Sequence, residues 1–237
     1  MFKFNITYHV PKVNVIAGPG NIFVTLAKKE VYGQVGIDML AGPSEILIVC
    51  DQNANPAYVA ADTLSQAEHD KLARSIVLTD SMEFALKLQT EIENQLALLP
   101  RREIAEYSLA NNGGIVVLDS LSKAIDIANE VAPEHMEIYA DNCDELLKGV
   151  KNAGAVFLGG YTPEPVGDYF AGPDHILPTG GTAKFFQVLN QDIFLRKMSV
   201  IKYSQKAIQA DGEHIVRLAE NEGLAAHANA VKVRLQK

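Results

Sequence analysis

Ile46-Leu47-Ile48-Val49-Cys50 is an unbroken apolar run with no polar position to turn towards water, and its reading decides the fold. A strand with one solvated face alternates apolar and polar residues, whereas a strand buried on both faces reads as a continuous apolar segment. Short runs recur at Ser75–Leu78, Gly114–Leu118, Met136–Tyr139 and Ala155–Leu158. Segments of helical period lie between them, at Pro56–His69, Met82–Leu99, Leu121–Val131 and Asp144–Val150. Strands alternating with helices return in the same direction each time. The expected architecture is therefore α/β, a Rossmann-like parallel sheet covered by helices.

Outward from this centre the pattern changes. Upstream, Val13–Ala17 reads as a strand, Gly18-Pro19-Gly20-Asn21 as a turn and Ile22–Tyr32 as a helix. One strand and one helix bury no core, so residues 1–43 read as the end of another α/β unit. Residues 44–184 form the expected main domain. From residue 185 the strands stop and helical segments follow, around Val200–Tyr203. Residues 185–237 read as a helical tail that docks on something larger, a partner chain included. The longest irregular stretch, Gly159–Ala183, holds Asp168, Tyr169, Asp174 and His175, and a loop of that length in a compact domain is usually functional or disordered.

Composition narrows the function classes. The 237 residues are 48% hydrophobic and 21% charged, a globular balance, with a net charge of −8. That charge argues against a nucleic-acid surface, which needs a basic patch. No apolar run reaches the roughly 18 residues of a membrane span. Met1-Phe2-Lys3-Phe4-Asn5 lacks a signal-peptide core. Two cysteines, Cys50 and Cys143, make no disulfide framework, so the expected setting is soluble and cytoplasmic.

The residues able to carry chemistry are scattered. Gln66 and His69 stand at i and i+3 near a helix C-terminus, one face of one element, as two ligands of a metal require; a solvated polar helix end is the plainer reading of that spacing. Glu134-His135 follows Pro133, which ends the preceding helix, and stands at a helix-to-strand junction. A carboxylate beside an imidazole offers two proton acceptors near neutral pH. Asp168 and His175 sit among glycines that permit close approach of backbone to a ligand, and they suit zinc; Asp174 reads as a turn cap. Glu222 lies at a helix end before Gly223, with His227 in a short turn beyond. Asn21 opens a helix whose free N–H groups favour anions, though Gly18-Pro19-Gly20-Asn21 is not a dinucleotide fingerprint. Ser44 reads as a ligand contact or as a turn hydroxyl, and His9 and His214 as structural or surface residues.

Six segments in order make a pattern that none makes alone: Ala41-Gly42-Pro43-Ser44-Glu45, Ser65-Gln66-Ala67-Glu68-His69, Ala132-Pro133-Glu134-His135, Gly167-Asp168-Tyr169, His175-Ile176-Leu177-Pro178-Thr179 and Leu224-Ala225-Ala226-His227. In these the chain resembles the histidinol dehydrogenase family, from about Pro11 to Val233. Leu40 stands where the family often has proline. The resemblance implies a zinc- and NAD-dependent homodimer that oxidises histidinol twice, alcohol to aldehyde to acid, at the end of histidine biosynthesis. It implies Gln66, His69, Asp168 and His227 as zinc ligands, the last from the other subunit. Glu134 and His135 match the catalytic bases. Ser44, His175 and Glu222 match substrate contacts, as do the zinc ligands and the two bases, and Asn21 matches an NAD contact. It also implies a longer family chain, whose N-terminal part, with most of the NAD unit and the opening strands of the sheet, is missing here. On that expectation the sheet is incomplete, 1–43 is a remnant of the NAD unit, 185–237 is a dimer arm, and the missing part arrives, if at all, on a separate chain. Two other readings stay open. One is a non-catalytic zinc-binding or oligomerising piece. The other is a zinc hydrolase, which the lack of a His-Glu-x-x-His motif disfavours.

Overall fold

The computed structural model describes residues 11–235; Met1–Val10, with His9, lie outside them. The chain divides into two compact units, the first running to Phe194 and the second from Leu195.

In the first unit a short parallel pair, β1 (Val15–Ile16) and β2 (Gly36–Ile37), flanks helix α1 (Ile22–Val31). Asn21 caps α1, its side-chain oxygen accepting from the amides of Phe23 and Val24. Lys28 on α1 reaches back into a buried ion pair with Asp38, 2.7 Å away, and also donates to the carbonyl of Gly18. The second carboxylate oxygen of Asp38 takes the Gly18 amide at 2.7 Å, so one buried acid closes the Gly-Pro-Gly-Asn turn.

The main sheet has five strands, all parallel, as the apolar runs predicted: β3 (Glu45–Cys50), β4 (Arg74–Thr79), β5 (Gly113–Val117), β6 (His135–Tyr139) and β7 (Ala155–Leu158), in the order β5-β4-β3-β6-β7. Every residue of β3 is buried, because this strand is central and covered on both faces. On one face Ile46, Ile48, Cys50 and Val77 pack beneath α2 (Pro56–Ala67) and α3 (Met82–Leu96), through Val59, Ala60, Phe84 and Leu88. On the other face Leu47, Val49, Leu78, Met136 and Ile138 pack beneath α5 (Leu121–Val131), with Leu146 of α6 (Cys143–Leu147) at the margin.

Register places the site. Ile46 pairs with His135 and Ile48 with Glu137, so both polar residues of β6 share the α2 face. In β7, Ala155 pairs with His135 and Phe157 with Glu137, and the sheet face beyond α2 is polar where the rest is apolar. That patch is covered by α7 (Glu164–Tyr169), a short helix inside the stretch expected to be irregular.

Other departures are local. A further helix, α4 (Arg102–Asn112), follows Pro100; its largely polar sequence hides the period. In the second unit Val200–Tyr203 is not helical; the β-branched pair Val200-Ile201 favours an extended chain. The helices there are α8 (Gln205–Asn221) and α9 (Ala225–Leu235). Only Glu222, Gly223 and Leu224 separate them, so His227 stands in the first turn of α9 and not in a turn between helices.

Candidate functional site

β6 begins at His135, and the approach to it is unusual. Ala132 ends α5 in the left-handed region at φ 52°, the one non-glycine residue there among those described. An alanine in that conformation costs about 1 kcal/mol or more. Pro133 then sets an extended entry, and Glu134 and His135 arrive side by side at the N-terminal edge of the sheet. Ligands of open α/β sheets usually bind at the carboxyl ends of the strands, so this site sits at the opposite edge.

Glu45, at the start of β3, orients both residues through its backbone. Its amide donates to the Glu134 carboxylate at 3.0 Å, and its carbonyl oxygen lies 3.1 Å from His135 Nδ1. A carbonyl only accepts, so Nδ1 carries the imidazole proton and Nε2 presents a lone pair. Nε2 is buried without a hydrogen-bond partner, 3.8 Å from a carboxylate oxygen of Glu164. The Glu45 carboxylate accepts from the Gly180 amide at 2.8 Å and faces Arg74 at 3.7 Å, tying in the chain that follows His175.

Gln66 is the second orphan. It projects from α2, is 1% exposed, and neither its amide oxygen nor its amide nitrogen has a hydrogen-bond partner. Buried polar groups are rarely left so, and an unsatisfied one costs about 1–3 kcal/mol. His69, three residues on, is exposed, yet its charge is among those that lower His135. Asp168 is half-buried on α7 and bears electrostatically on both Glu134 and His135. Among the described residues one trio of histidine and acid ligand atoms lies within 4.8 Å of one another: His135, Glu164 and Asp168. Asp168 and His175 also border a common cavity of about 190 Å³ beside Phe157.

The other expected residues lie elsewhere. Ser44 is half-buried and its carbonyl accepts from the Arg74 amide, just ahead of β3. Asp174 caps a turn, accepting from the Ile176 amide at 2.8 Å. Asn21 is exposed at the head of α1. Glu222 and His227 are exposed in the second unit, at the end of α8 and the start of α9. His214 is exposed on α8, and Cys50 is buried in β3.

Two buried acids near the site, Glu137 and Glu164, and the half-buried Asp62 were not among the residues singled out in the sequence. Each had a weak signal. Glu137 is one acid inside an apolar strand, Glu164 precedes Asp168 by one helical turn, and Asp62 precedes Gln66 by one. Burial pushes Glu134 up to about 8, against the Glu45 amide that favours its ionised form, and the charges of Glu45, Asp168 and Glu164 add to the rise. Burial likewise raises Glu164 to about 8, helped by its hydrogen bond with Asp168. His135 moves down through burial, which keeps its imidazole neutral. Acids holding protons beside a neutral imidazole form a site suited to proton transfer, and the unpartnered Gln66 amide suits a bound cation or polar ligand.

Two glycines permit this packing. A Cβ on Gly154 would lie 2.5 Å from the Glu134 carbonyl oxygen and 3.2 Å from that of Pro178. Both obstacles are backbone and cannot rotate away. Gly154→Ala is therefore expected to cost about 1–3 kcal/mol in chemical denaturation, and to displace Glu134, seen as shifts of the Glu134 and Glu45 amide resonances. A Cβ on Gly167 would meet the Phe157 ring at 2.6 Å, so a glycine lets α7 settle over β7 and bring Asp168 in.

A doubly covered parallel sheet with a histidine–carboxylate site and an orphaned glutamine at its amino edge defines the class: an α/β protein with a buried acid–base centre. The comparisons give the family. The Histidinol dehydrogenase family model matches residues 5–235, and the chain belongs to that family. It is 56% identical over 229 residues to the histidinol dehydrogenase of Carboxydothermus hydrogenoformans, covering 97% of this chain and 54% of that protein. It is 52% identical over 230 residues to the Bacillus cereus protein of the same name, again covering 97% and 54%. The crystal structure of histidinol dehydrogenase from Elizabethkingia anophelis superposes with a TM-score of 0.88 at 43% identity, over 95% of this chain and 52% of that one. The chain thus spans about half the length of the curated relatives it matches. Among the described residues no helix is long and apolar enough to cross a membrane.

Proposed function

We propose that the chain carries the metal- and base-bearing part of a zinc- and NAD-linked histidinol dehydrogenase, oxidising L-histidinol to L-histidine in two steps in the cytoplasm. The observation that carries this reading is Gln66, a carboxamide 1% exposed whose two polar atoms have no partner, three residues before His69. A cation is the simplest partner for its oxygen, and the oxygen and nitrogen donors nearby suit zinc. Gln66, His69 and Asp168 would hold it, with His227 supplied by a second copy of the chain in a homodimer. Bound zinc would supply a fixed charge that orients the amine and imidazole nitrogens of the substrate, and no redox chemistry.

His135 takes the hydroxyl proton at Nε2, whose lone pair is set by the Nδ1 bond to the Glu45 carbonyl. Glu134, held by the Glu45 amide, accepts a proton from the water that hydrates the aldehyde. Ser44, His175 and Glu222, the last from the second copy, complete the substrate contacts. For NAD the described residues do not form a complete site. The oxygen of Asn21 is spent on its own helix and the Gly18 amide on Asp38, which leaves little to cradle a phosphate. The hydride acceptor therefore needs residues beyond these, on a separate chain where the relatives' remaining length is supplied that way.

A second reading is a zinc-binding and oligomerising module without turnover of its own. Zinc analysis with NAD titration separates the two. About one zinc per chain is expected under either, with binding lost in Asp168→Ala because one of four ligands goes. NAD-dependent histidinol oxidation supports the enzyme, and zinc without it supports the module. Full zinc occupancy in Asp168→Ala would overturn the ligand set.

A further inference from the structure

Residues 41–45 and 178–181, far apart in sequence, are joined twice at the amino edge of the sheet. The Gly42 amide donates to the Thr179 hydroxyl oxygen, and the Gly180 amide donates to a carboxylate oxygen of Glu45 at 2.8 Å. Thr179 is 3% exposed and Glu45 4%, so water competes poorly for either acceptor. Glycine makes both approaches possible. A Cβ on Gly42 would stand 3.0 Å from the Thr179 hydroxyl oxygen, while Gly180 and Gly181 take φ of 62° and 79°, where only glycine is free of strain. The Thr179 carbonyl accepts from the Thr182 amide at 3.2 Å and from its hydroxyl at 2.8 Å, which closes the turn.

Glu45 is the residue on which these links converge. It is the first of β3, and its one amide proton goes to the Glu134 carboxylate at 3.0 Å and not into the sheet ladder. Its carbonyl takes His135 Nδ1 at 3.1 Å. The strand end therefore needs another anchor, and the Glu45 side chain supplies it through Gly180. Arg74, 3.7 Å from the other carboxylate oxygen, adds little, since its side chain is 53% exposed and solvent screens the pair. We propose that Glu45 and Thr179 are positioning residues, a two-point latch that fixes the peptide groups on either side of Glu45 and, through them, Glu134 and His135. Ser44 lies between the latch points on its chain, and His175 stands four residues before Thr179, so the same bonds hold both expected substrate contacts to one edge. The latch is read from geometry; its bearing on histidinol oxidation rests on the function proposed above.

Paired substitutions test it. Thr179→Val keeps the shape and loses the acceptor, whereas Thr179→Ser keeps the hydroxyl. Glu45→Gln keeps a carbonyl oxygen for the Gly180 amide and loses the charge towards Arg74, whereas Glu45→Ala loses both. Amide exchange and nuclear magnetic resonance are measured on the full chain, with the Val49 amide of β3 as the reference for global stability. Exchange at Gly42 in Thr179→Val, and at Gly180 in Glu45→Ala, should rise about tenfold, the worth of one hydrogen bond, with Val49 unchanged. Thr179→Ser and Glu45→Gln should stay within about twofold of the wild type, because each keeps its acceptor. The positioning role is read on groups that Thr179 does not touch. The Glu45 amide and the His135 Nδ1 proton should shift in Thr179→Val and return in Thr179→Ser. Gly42 exchange unmoved in Thr179→Val, or Gly180 as fast in Glu45→Gln as in Glu45→Ala, would overturn the latch. Faster exchange with the Glu45 and His135 resonances unmoved would overturn its positioning role. Should Glu45→Ala fail to fold, the Thr179 pair still decides. None of these readouts needs zinc, NAD or substrate, so a chain that does not oxidise histidinol would sink the proposed function and leave the latch to its own resonances.

Discussion

His135→Asn should lower the alcohol oxidation step by about 10²–10⁴-fold, the usual worth of a positioned general base. Asparagine can keep a donor towards the Glu45 carbonyl but has no basic nitrogen for the site. Glu134→Gln should act differently. It spares the alcohol step and slows the aldehyde step, because only the second oxidation consumes a water. Single-turnover rates for each half-reaction, measured from histidinol and from histidinal, separate the two. Equal losses in both steps would remove the water-activating role from Glu134.

The pH dependence has a defined sign. Glu134 is raised to about 8 by burial, so it holds its proton at pH 7 and becomes a base as pH rises through that value. The aldehyde step should therefore climb with pH to about 8 and level off above it, and Glu134→Gln should abolish the climb. His135, lowered by burial, is already neutral at pH 7, so the acid-side loss it controls should fall below the ordinary imidazole range.

Asp38→Ala should cost about 3–5 kcal/mol, the measured range for removing one partner of a buried ion pair. The side chains of Lys28 and Asp38 are 6% and 0% exposed, so the ammonium left behind has no route to water without unfolding α1. Two amides lose their acceptor as well, those of Gly18 and Met39. Urea denaturation reads the cost. The double variant Lys28→Met, Asp38→Leu should recover part of it, since no charge is then stranded while the two amides stay unpaired. A single variant within 1 kcal/mol of the wild type would mean that the pair is solvated in solution.

Much of the molecule could be read from local pattern. Ile46–Cys50 reads as a central strand because a strand covered on both faces has no position for a polar residue. Pro133 and the helical period before it placed Glu134-His135 at a helix-to-strand junction, which in a parallel sheet is always the amino edge. Gln66 and His69, spaced for one helix face, part at the end of α2: Gln66 is buried on the helix and His69 lies exposed beyond its last residue, Ala67. Where pattern was weak, reading failed: α4 is too polar to show a period, α7 hides in a Gly- and Pro-rich stretch, and Val200–Tyr203 is apolar without being helical.

Tertiary structure alone decided which polar groups are dry. Glu137 and Glu164 look like ordinary acids until the register of β6 against β3, and the closure of α7 over β7, removes them from water. Gln66 looks like a surface amide until α2 presses it inward with no partner. Burial is a property of two surfaces meeting, and the meeting of α2, β6 and α7 joins segments about a hundred residues apart in sequence, beyond the reach of any local period. Spacing within one element is fixed by covalent geometry and so is written in the sequence; protonation, tautomer and orphaned polarity follow from what packs against it.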